Sequence, residues 1–182
     1  MKKNLLTIFA LLLCAMQSSG QVSFVKLLGK NSANTTYGVG LSAFYDFPLN
    51  QSSNSMRLEL MNLNIFPPKD KDLVSVAANI SIKLGYRHLF SETTTGFYIE
   101  PQLGFGRVVV SDPSLPNQAR HADGLAIAME GGYCVGVGER DNFFYFGLKY
   151  ENDLPGNSDY NINSMALKVG YAFHLFRRNS DY

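Results

Sequence analysis

The chain has 182 residues, a formal net charge of +1 and two cysteines. Charged residues make up 17% of it, below the roughly 25% of an ordinary globular domain, whereas aromatic residues reach 13%. This near-neutral balance does not indicate a nucleic-acid-binding protein. No segment after residue 20 has the 18 continuous apolar residues of a transmembrane helix.

The first 20 residues are predicted to be a secretory signal peptide. Lys2 and Lys3 form a basic start, residues 5–15 form an apolar run, and residues 18–20 are small. The apolar run is too short to span a bilayer as a helix, which needs about 20 residues. We therefore expect cleavage after Gly20.

Cleavage there would leave one domain, residues 21–182, with 14 basic and 15 acidic residues. Cys134 would be its only cysteine, so no intramolecular disulfide is expected. A lipoprotein signal that uses Cys14 is the alternative, but such a signal requires a small residue before the cysteine and Leu13 is not small.

Eight segments of the remaining chain are predicted to be strands, because apolar residues alternate with small or polar ones along them. They span residues 22–29, 37–47, 56–66, 73–90, 97–110, 124–138, 143–151 and 164–176. The phase of the first is unclear. The third changes phase between Leu60 and Met61, as a β-bulge would require. Pro101 lacks an amide donor, so a local irregularity is expected in the fifth.

The last predicted strand indicates which face of the sheet meets lipid. One of its faces carries large apolar residues and the other carries small or polar ones up to His174. A soluble barrel would place the bulky apolar residues inside, whereas a membrane barrel places them outside, against lipid. We therefore predict an all-β fold, an eight-stranded antiparallel transmembrane up-and-down barrel. A non-membrane protein with eight amphipathic strands is the alternative.

The same strand resembles the C-terminal assembly signal of bacterial outer-membrane barrels, with Lys168, Gly170, Phe173 and Leu175 at its four positions. The mature chain resembles the small eight-stranded barrels of the outer membrane protein X and outer membrane protein A type. Residues 97–106 are similar to the middle strands of porin-family barrels common in Bacteroidota. The resemblance implies a location in the outer membrane of a Gram-negative bacterium. It also implies contact with the lipid bilayer and lipopolysaccharide, and recognition by the outer-membrane assembly machinery through those four residues.

The predicted connections alternate between short and long, as the periplasmic turns and external loops of such barrels do. The longest, residues 111–123, is predicted to be the surface at which an extracellular partner would bind. Aromatic residues are expected to form two interfacial girdles. The lower girdle would contain Tyr45, Phe47, Tyr86, Phe97, Phe144, Tyr171 and Phe173, and the upper one Tyr37, Phe66 and Tyr150.

Ten charged residues are predicted to face the interior. They are the acids Asp46, Glu59, Glu100, Glu130 and Glu151 and the bases Arg57, Lys83, Arg87, Lys149 and Lys168. An eight-stranded barrel has room inside only for side chains, and unpaired buried charges are very costly. The balance predicts a closed network of ion pairs, in which Glu100 and Glu130 would pair with Lys83, Lys149 or donors near Arg107. A polar lumen that passes ions or holds a ligand is the alternative.

No catalytic, cofactor-binding or metal-binding residues are predicted. A lipid-facing His and Ser would resemble the barrel that deacylates lipid A, but His88 and Ser91 lack its His-x-Ser arrangement. His121 is predicted to lie in the longest loop without a second ligand, and His174 to face the polar interior. The predicted function is a structural or surface-contact role through the external loops. A narrow channel or small-ligand transport barrel is the alternative.

Overall fold

The computed structural model describes residues 19–49, 54–70, 72–91, 95–114, 120–137, 142–156 and 160–172. Eight strands form one closed barrel, in which each strand pairs antiparallel with its sequence neighbours and the last closes on the first. The strands are β1 Ser19–Leu28, β2 Gly38–Pro48, β3 Ser55–Ile65, β4 Ser75–Leu89, β5 Gly96–Ser111, β6 Arg120–Val137, β7 Asn142–Pro155 and β8 Ile162–Ala172. The predicted all-β up-and-down barrel is confirmed. Within the described ranges, no helix is both long and apolar enough to span a bilayer.

The outer face of the barrel is apolar and its inner face is largely polar. Phe24, Phe97 and Phe105 point outward and are 68%, 69% and 76% exposed. Exposed apolar residues of all eight strands, which we call the lipid-facing belt, surround the barrel. They include Val22, Phe24, Val39, Leu41, Met61, Ile65, Ile80, Ile82, Leu84, Leu103, Phe105, Ile127, Met129, Phe146, Leu148, Leu167 and Val169. Apolar side chains outside and charged ones inside are the arrangement of a membrane barrel.

The phase change predicted in the third strand is a β-bulge. The pairing of β3 with β4 shifts register between Glu59 and Asn62, and the pairing of β2 with β3 shifts beside Phe44. Because the bulge inserts a residue, Glu59 and Asn62 both face the interior although an odd number of positions separates them. At Pro101 the register with β6 is continuous, and Pro101 lies opposite Met129.

In the pairing of β5 with its other neighbour, β4, the irregularity expected at Pro101 is present. The ladder is interrupted there, but its register does not shift. The ladder between β4 and β5 pairs Gly85 with Gln102 and resumes in the same register with His88 opposite Ile99. The missing amide donor of Pro101 weakens the ladder at this point. The register shift of this strand pair lies elsewhere, between Val76 and Ala78.

β5 and β6 extend beyond their predicted ends. Ser111 and residues 120–123 of the predicted loop 111–123 belong to the sheet, with Val110 opposite Arg120 and Arg107 opposite Asp123. The residues of this extension that face outward are polar. The apolar alternation typical of a lipid-facing strand therefore ends before the hydrogen-bonded pairing of β5 and β6 does. The connection is therefore shorter than predicted, and residues 115–119 of it lie outside the described residues.

The aromatic girdles are confirmed in part. Tyr45, Phe47, Tyr86, Phe97 and Phe144 are exposed on the outer face, as are Tyr37 and Tyr150, and Tyr171 is half-buried against Phe144. The placement of Phe66 in the upper girdle is wrong, because its side chain is 1% exposed and lies inside the barrel. The bulge in β3 explains this position, since residues 61, 63 and 65 face outward after it and residue 66 therefore faces inward. Phe173 lies outside the described residues.

β1 begins at Ser19, two residues before the predicted mature N-terminus. We expect export to remove residues 1–20, which would leave Gln21 as the first residue of β1, opposite Ser42 and Gly170. Mass spectrometry of the protein extracted from membranes checks this prediction through the mass of the mature chain. A chain that begins at an acylated Cys14 would instead establish the lipoprotein alternative.

Candidate functional site

Three lysines and two glutamates form a layer of ion pairs across the interior, which we call the lysine layer (Glu59, Lys83, Lys149, Glu151 and Lys168). The Glu59 carboxylate lies 3.1 Å from Lys83 Nζ and 3.1 Å from Lys149 Nζ. Glu151 lies 2.7 Å from Lys83 Nζ and 3.0 Å from Lys149 Nζ. Lys168 Nζ completes the layer at 3.3 Å from Glu59. All five side chains are buried, so their charges are compensated by one another and not by solvent.

A second layer lies nearer the end of the barrel that carries the short turns, here called the lower end. This arginine layer consists of Asp46, Arg57, Arg87 and Glu100. Arg57 donates two hydrogen bonds of 2.7 Å to the Asp46 carboxylate, through Nε and Nη2. Arg87 Nε donates to Glu100 at 2.7 Å. This bidentate geometry and these short distances are typical of strong charge-assisted hydrogen bonds.

Aromatic rings pack against both guanidinium groups of the arginine layer. The Arg57 guanidinium lies 3.6 Å from the centroid of the Phe44 ring. The Arg87 guanidinium lies 4.2 Å from the Tyr98 ring and 4.3 Å from the Tyr145 ring. Such cation–π contacts stabilise a buried cation that is already paired with a carboxylate. The arginine layer is thereby joined to an apolar cluster at the lower end.

Glu130 connects the two layers. Its carboxylate lies 3.0 Å from Lys168 Nζ and 3.8 Å from Arg87 Nη2, and it accepts a hydrogen bond of 2.7 Å from Tyr98 Oη. Gly147 makes room for this contact, because a Cβ atom at that position would lie 2.6 Å from Tyr98 Oη. The absence of a side chain at Gly147 therefore leaves room for the Tyr98 hydroxyl beside it.

Apolar clusters occupy both ends of the interior. The upper cluster contains Val25, Leu27, Phe66, Val76, Val108, Val110, Ile162 and Ala166, with Tyr160 packed against it. The lower cluster contains Phe44, Tyr98, Cys134, Tyr145 and Ala172, with Leu89 and Phe143 packed against it. Along the barrel axis, the described interior is therefore apolar at each end and ionic between.

One small cavity lies beside the lysine layer. It is lined by Ser23, Val25, Asn62, Asn64, Lys149, Glu151, Ser164, Ala166 and Lys168. The space it offers to the centres of water molecules is about 10 Å³. That volume accommodates roughly one water molecule, and its lining supplies polar partners for such a water.

All ten charged residues predicted to face the interior do so, but the suggested pairing of Glu100 and Glu130 is wrong. Glu100 pairs with Arg87, and Glu130 pairs with Lys168. Lys83 and Lys149 contact the glutamates of the lysine layer instead. Arg107 points outward and pairs at 2.6 Å with Asp123, both side chains being more than half exposed.

The sequence prediction missed one interior acid, Asp153. The predicted strand ended at Glu151, whereas β7 continues to Pro155 and buries the Asp153 side chain. The signal was present, because Lys149, Glu151 and Asp153 continue a single alternation.

Two of the upper connections pack against each other into what we call the loop platform, residues 29–37 and 66–70. Thr36 N donates to Pro67 O at 2.9 Å, and Lys69 N donates to Asn34 O at 3.0 Å. Lys69 Nζ also donates to Ala33 O at 2.8 Å. These bonds join two loops that are distant in sequence, so the platform is a firm surface at the upper end of the barrel.

The connection after β5 is described for residues 112–114. Asp112 accepts hydrogen bonds from the Ser114 hydroxyl at 2.6 Å and from its amide at 3.0 Å, and it lies 3.2 Å from Arg120. The Ser114 hydroxyl, with Arg120 nearby, holds the pKa of Asp112 below its ordinary value. These contacts fix the beginning of the segment predicted to meet an extracellular partner.

The two histidines that the structure describes, His88 and His121, do not lie in one site. His88 Nδ1 lies 2.9 Å from Asn54 Oδ1, and its ring packs against Phe90 at 4.6 Å, near the lower interface. His121 lies in β6 opposite Val109, and not in a loop as predicted. His174 lies outside the described residues. Among the residues that the structure describes, no group of three or more histidine, cysteine or acidic side chains could hold a metal ion.

The predicted assembly signal is described in part. Lys168 and Gly170 face the interior, where Lys168 joins the lysine layer and a Cβ atom on Gly170 would lie 2.2 Å from Gln21 Cγ. Phe173 and Leu175 lie outside the described residues. The role of these four residues in assembly remains a prediction.

Comparison with solved structures identifies the fold. The crystal structure of Neisserial surface protein A matches with a TM-score of 0.65 and 13% sequence identity, over 85% of this chain and 93% of that one. The chain has the fold of the outer-membrane β-barrels. The predicted location in the bacterial outer membrane agrees with this fold and with the apolar outer face of the barrel.

Two further outer-membrane barrels match with lower TM-scores. The attachment invasion locus protein Ail of Yersinia pestis gives 0.45 at 16% identity, over 86% of this chain and 97% of that one. The N-terminal β-barrel domain of Pseudomonas aeruginosa OprF gives 0.47 at 12% identity, over 85% and 97%. No protein-family model matches the sequence, and no curated protein matches it.

Proposed function

We propose that this outer-membrane barrel has a structural or surface-contact role, carried out through its external loops. The observation that supports the proposal is the filled interior, in which an apolar cluster at each end encloses two layers of ion pairs. Passage of ions or solutes would require a continuous water path. The cavity beside the lysine layer accommodates about one water molecule, which favours a closed barrel.

The loop platform is the surface that we propose for contact with other molecules. Its two loops are held together by backbone and lysine hydrogen bonds, so a partner would meet a preorganised surface and would lose little entropy on binding. Residues 112–114 and the neighbouring Arg120 extend this external end. The contact with lipopolysaccharide implied by the resemblance would fall on the outer face near Lys26 and Arg107, which are exposed bases.

We propose no catalytic role for the chain. His88, the nearest candidate for a lipid-facing catalytic base, contacts Asn54 and Phe90. We further propose that the assembly machinery recognises Lys168, Gly170, Phe173 and Leu175 before the barrel closes. Lys168 is buried in the closed barrel, so its side chain is accessible to a partner only before the barrel closes.

Single-channel recording of the refolded protein in a planar bilayer tests the closed-barrel proposal. We expect no steady conductance from inserted wild-type protein, because side chains of two apolar clusters and two ion-pair layers fill its interior. Insertion is verified separately, by the heat-modified mobility or protease protection of the same sample. A steady conductance from the wild-type barrel would favour the narrow channel or small-ligand transport barrel instead.

A further inference from the structure

Asp153 is a buried acid that lies outside both ion-pair layers. It is 2% exposed and lies on β7 opposite Ala126 and Ile162, at the border of the upper apolar cluster. Asn79, on β4, is also buried, and its Nδ2 donates a hydrogen bond to Asp153 Oδ2. The two side chains meet inside the barrel although their strands are not neighbours in the sheet.

One carboxylate oxygen of Asp153 and the amide oxygen of Asn79 lack a donor within the described part of the chain. Asp153 Oδ1 and Asn79 Oδ1 are both buried, and neither receives a hydrogen bond from any residue that the structure describes. An amide oxygen and an ionised carboxylate oxygen can only accept. The pair therefore cannot satisfy both oxygens while Asp153 is charged, and leaving them unsatisfied is costly.

The charges around the pair lead to the same conclusion. The five interior bases can each be matched with a different carboxylate, and none of these carboxylates is Asp153. The matches are Arg57–Asp46 at 2.7 Å, Lys83–Glu151 at 2.7 Å, Arg87–Glu100 at 2.7 Å, Lys149–Glu59 at 3.1 Å and Lys168–Glu130 at 3.0 Å. Within the described ranges, Asp153 has no basic nitrogen within 4.0 Å.

The charged groups that act on Asp153 belong to the lysine layer. They are Glu151 on its own strand, Lys83 on β4 and Lys149 on β7. Both lysines lie between Glu59 and Glu151, at 2.7 to 3.1 Å from their carboxylates. The charges of both lysines are therefore already compensated by Glu59 and Glu151. The negative charge of Glu151 also repels a negative charge on Asp153.

We propose that the Asp153–Asn79 pair binds one proton, so that Asp153 is a neutral carboxylic acid in the folded barrel at neutral pH. The proton resides on Oδ1 and is donated towards Asn79 Oδ1, while Asn79 Nδ2 donates to Oδ2. This acid–amide pairing satisfies both oxygens and removes an uncompensated buried charge, which is how isolated buried carboxyl groups are accommodated in proteins. Gly106 leaves space for it, because a Cβ atom there would lie 2.7 Å from Asp153 Oδ1.

A monovalent metal cation between the same two oxygens would supply the same positive charge, so the experiment must separate it from a proton. Infrared spectra of the refolded wild-type barrel and of Asp153→Asn are compared at neutral pH in choline, sodium and potassium chloride. We expect a protonated-carboxyl C=O band in the wild type, equal in all three salts and lost in Asp153→Asn. Absence of this band from the wild type, or its loss on adding sodium or potassium, would overturn the proposal.

Stability provides a second readout with a matched control. Asp153→Asn should keep the wild-type unfolding midpoint at neutral pH, because the amide replaces a neutral acid and can still pair with Asn79. Glu151→Gln, two residues away, should lower the midpoint, because it removes the partner of Lys83 and Lys149. An equal decrease for both variants would mean that Asp153 is ionised.

If Asp153→Asn does not fold, NMR of the wild-type protein labelled with ¹³C at the aspartate carboxyl carbons tests the protonation of Asp153. One carboxyl resonance should keep the shift of a neutral acid through neutral pH while the exposed aspartates are ionised. Ionisation of every aspartate at neutral pH would overturn the proposal.

Discussion

Replacing Glu59 by glutamine is expected to destabilise the folded barrel by about 3–5 kcal/mol, the cost of breaking a buried ion pair by removing one partner. The Glu59 carboxylate lies within 3.3 Å of three lysine ammonium groups. Glutamine keeps the volume and removes the charge, so the lysine layer would hold three cations and one remaining glutamate. Urea unfolding in lipid vesicles measures the loss as a lower midpoint.

A surface pair of the same barrel provides the control for this change. Asp123→Asn removes the partner of Arg107, but both side chains are more than half exposed, so water replaces the lost interaction. We expect its midpoint to match the wild type. The unfolding midpoint of Glu130→Gln should lie between those of Glu59→Gln and Asp123→Asn. Lys168 loses one carboxylate partner in this variant but keeps the other, Glu59, at 3.3 Å. If Glu59→Gln left the midpoint unchanged, the interior would not be a packed ionic core.

Arginine in place of Ile82 is expected to cost roughly 2–4 kcal/mol of folding stability in a bilayer, as a cation does on the lipid face near the midplane. Ile82 is 56% exposed on the outer face and lies opposite Phe105, within the lipid-facing belt. Ile80 is less suitable for this test, because it lies opposite Arg107, where the outer face becomes polar. Equilibrium unfolding in vesicles measures the difference from the wild type.

The same substitution at another depth is the matched comparison. Tyr86 belongs to the lower aromatic girdle, where an arginine side chain can reach the lipid head groups. Tyr86→Arg should therefore cost about 1 kcal/mol or less for solvation. Equal penalties at Ile82 and Tyr86, or a mature chain that is soluble without detergent, would contradict the outward orientation of the belt.

Alternation was sufficient to predict eight strands and ten of the inward charges, but Asp153 was missed because the predicted seventh strand ended at Glu151. Lipid outside and paired charges inside impose opposite demands on successive residues, so residues such as Ile82 and Lys83 give a strong two-residue period. The same period located the bulge between Glu59 and Asn62, because an inserted residue exchanges the two faces.

The other predictions that failed depended on features outside that period. Near the upper ends of β5 and β6 several outward residues are polar, for example Arg107, His121 and Asp123, so the ends of these strands resembled a loop. Phe66 was assigned to the girdle because it is aromatic. Its position in the alternation after the bulge, which places it inside the barrel, was not taken into account. The partner of Glu100 is Arg87 on the adjacent strand β4, so that pairing depends on the register between β4 and β5. The partner of Glu130 is Lys168 on β8, two strands away, and the sequence pattern does not determine such a contact across the interior.

The seam between β1 and β8 has a consequence for the route by which the barrel enters the membrane. Every other ladder joins strands that follow each other in the chain, whereas this one pairs Val22 with Val169. Lys168 on β8 also neutralises Glu59 and Glu130, which lie on β3 and β6. An open sheet in the bilayer would turn these charges and two unpaired backbone edges towards hydrocarbon, at several kcal/mol per unsatisfied group. We therefore expect insertion and closure of the barrel to proceed together, without a stable intermediate in which a half-inserted sheet is still open.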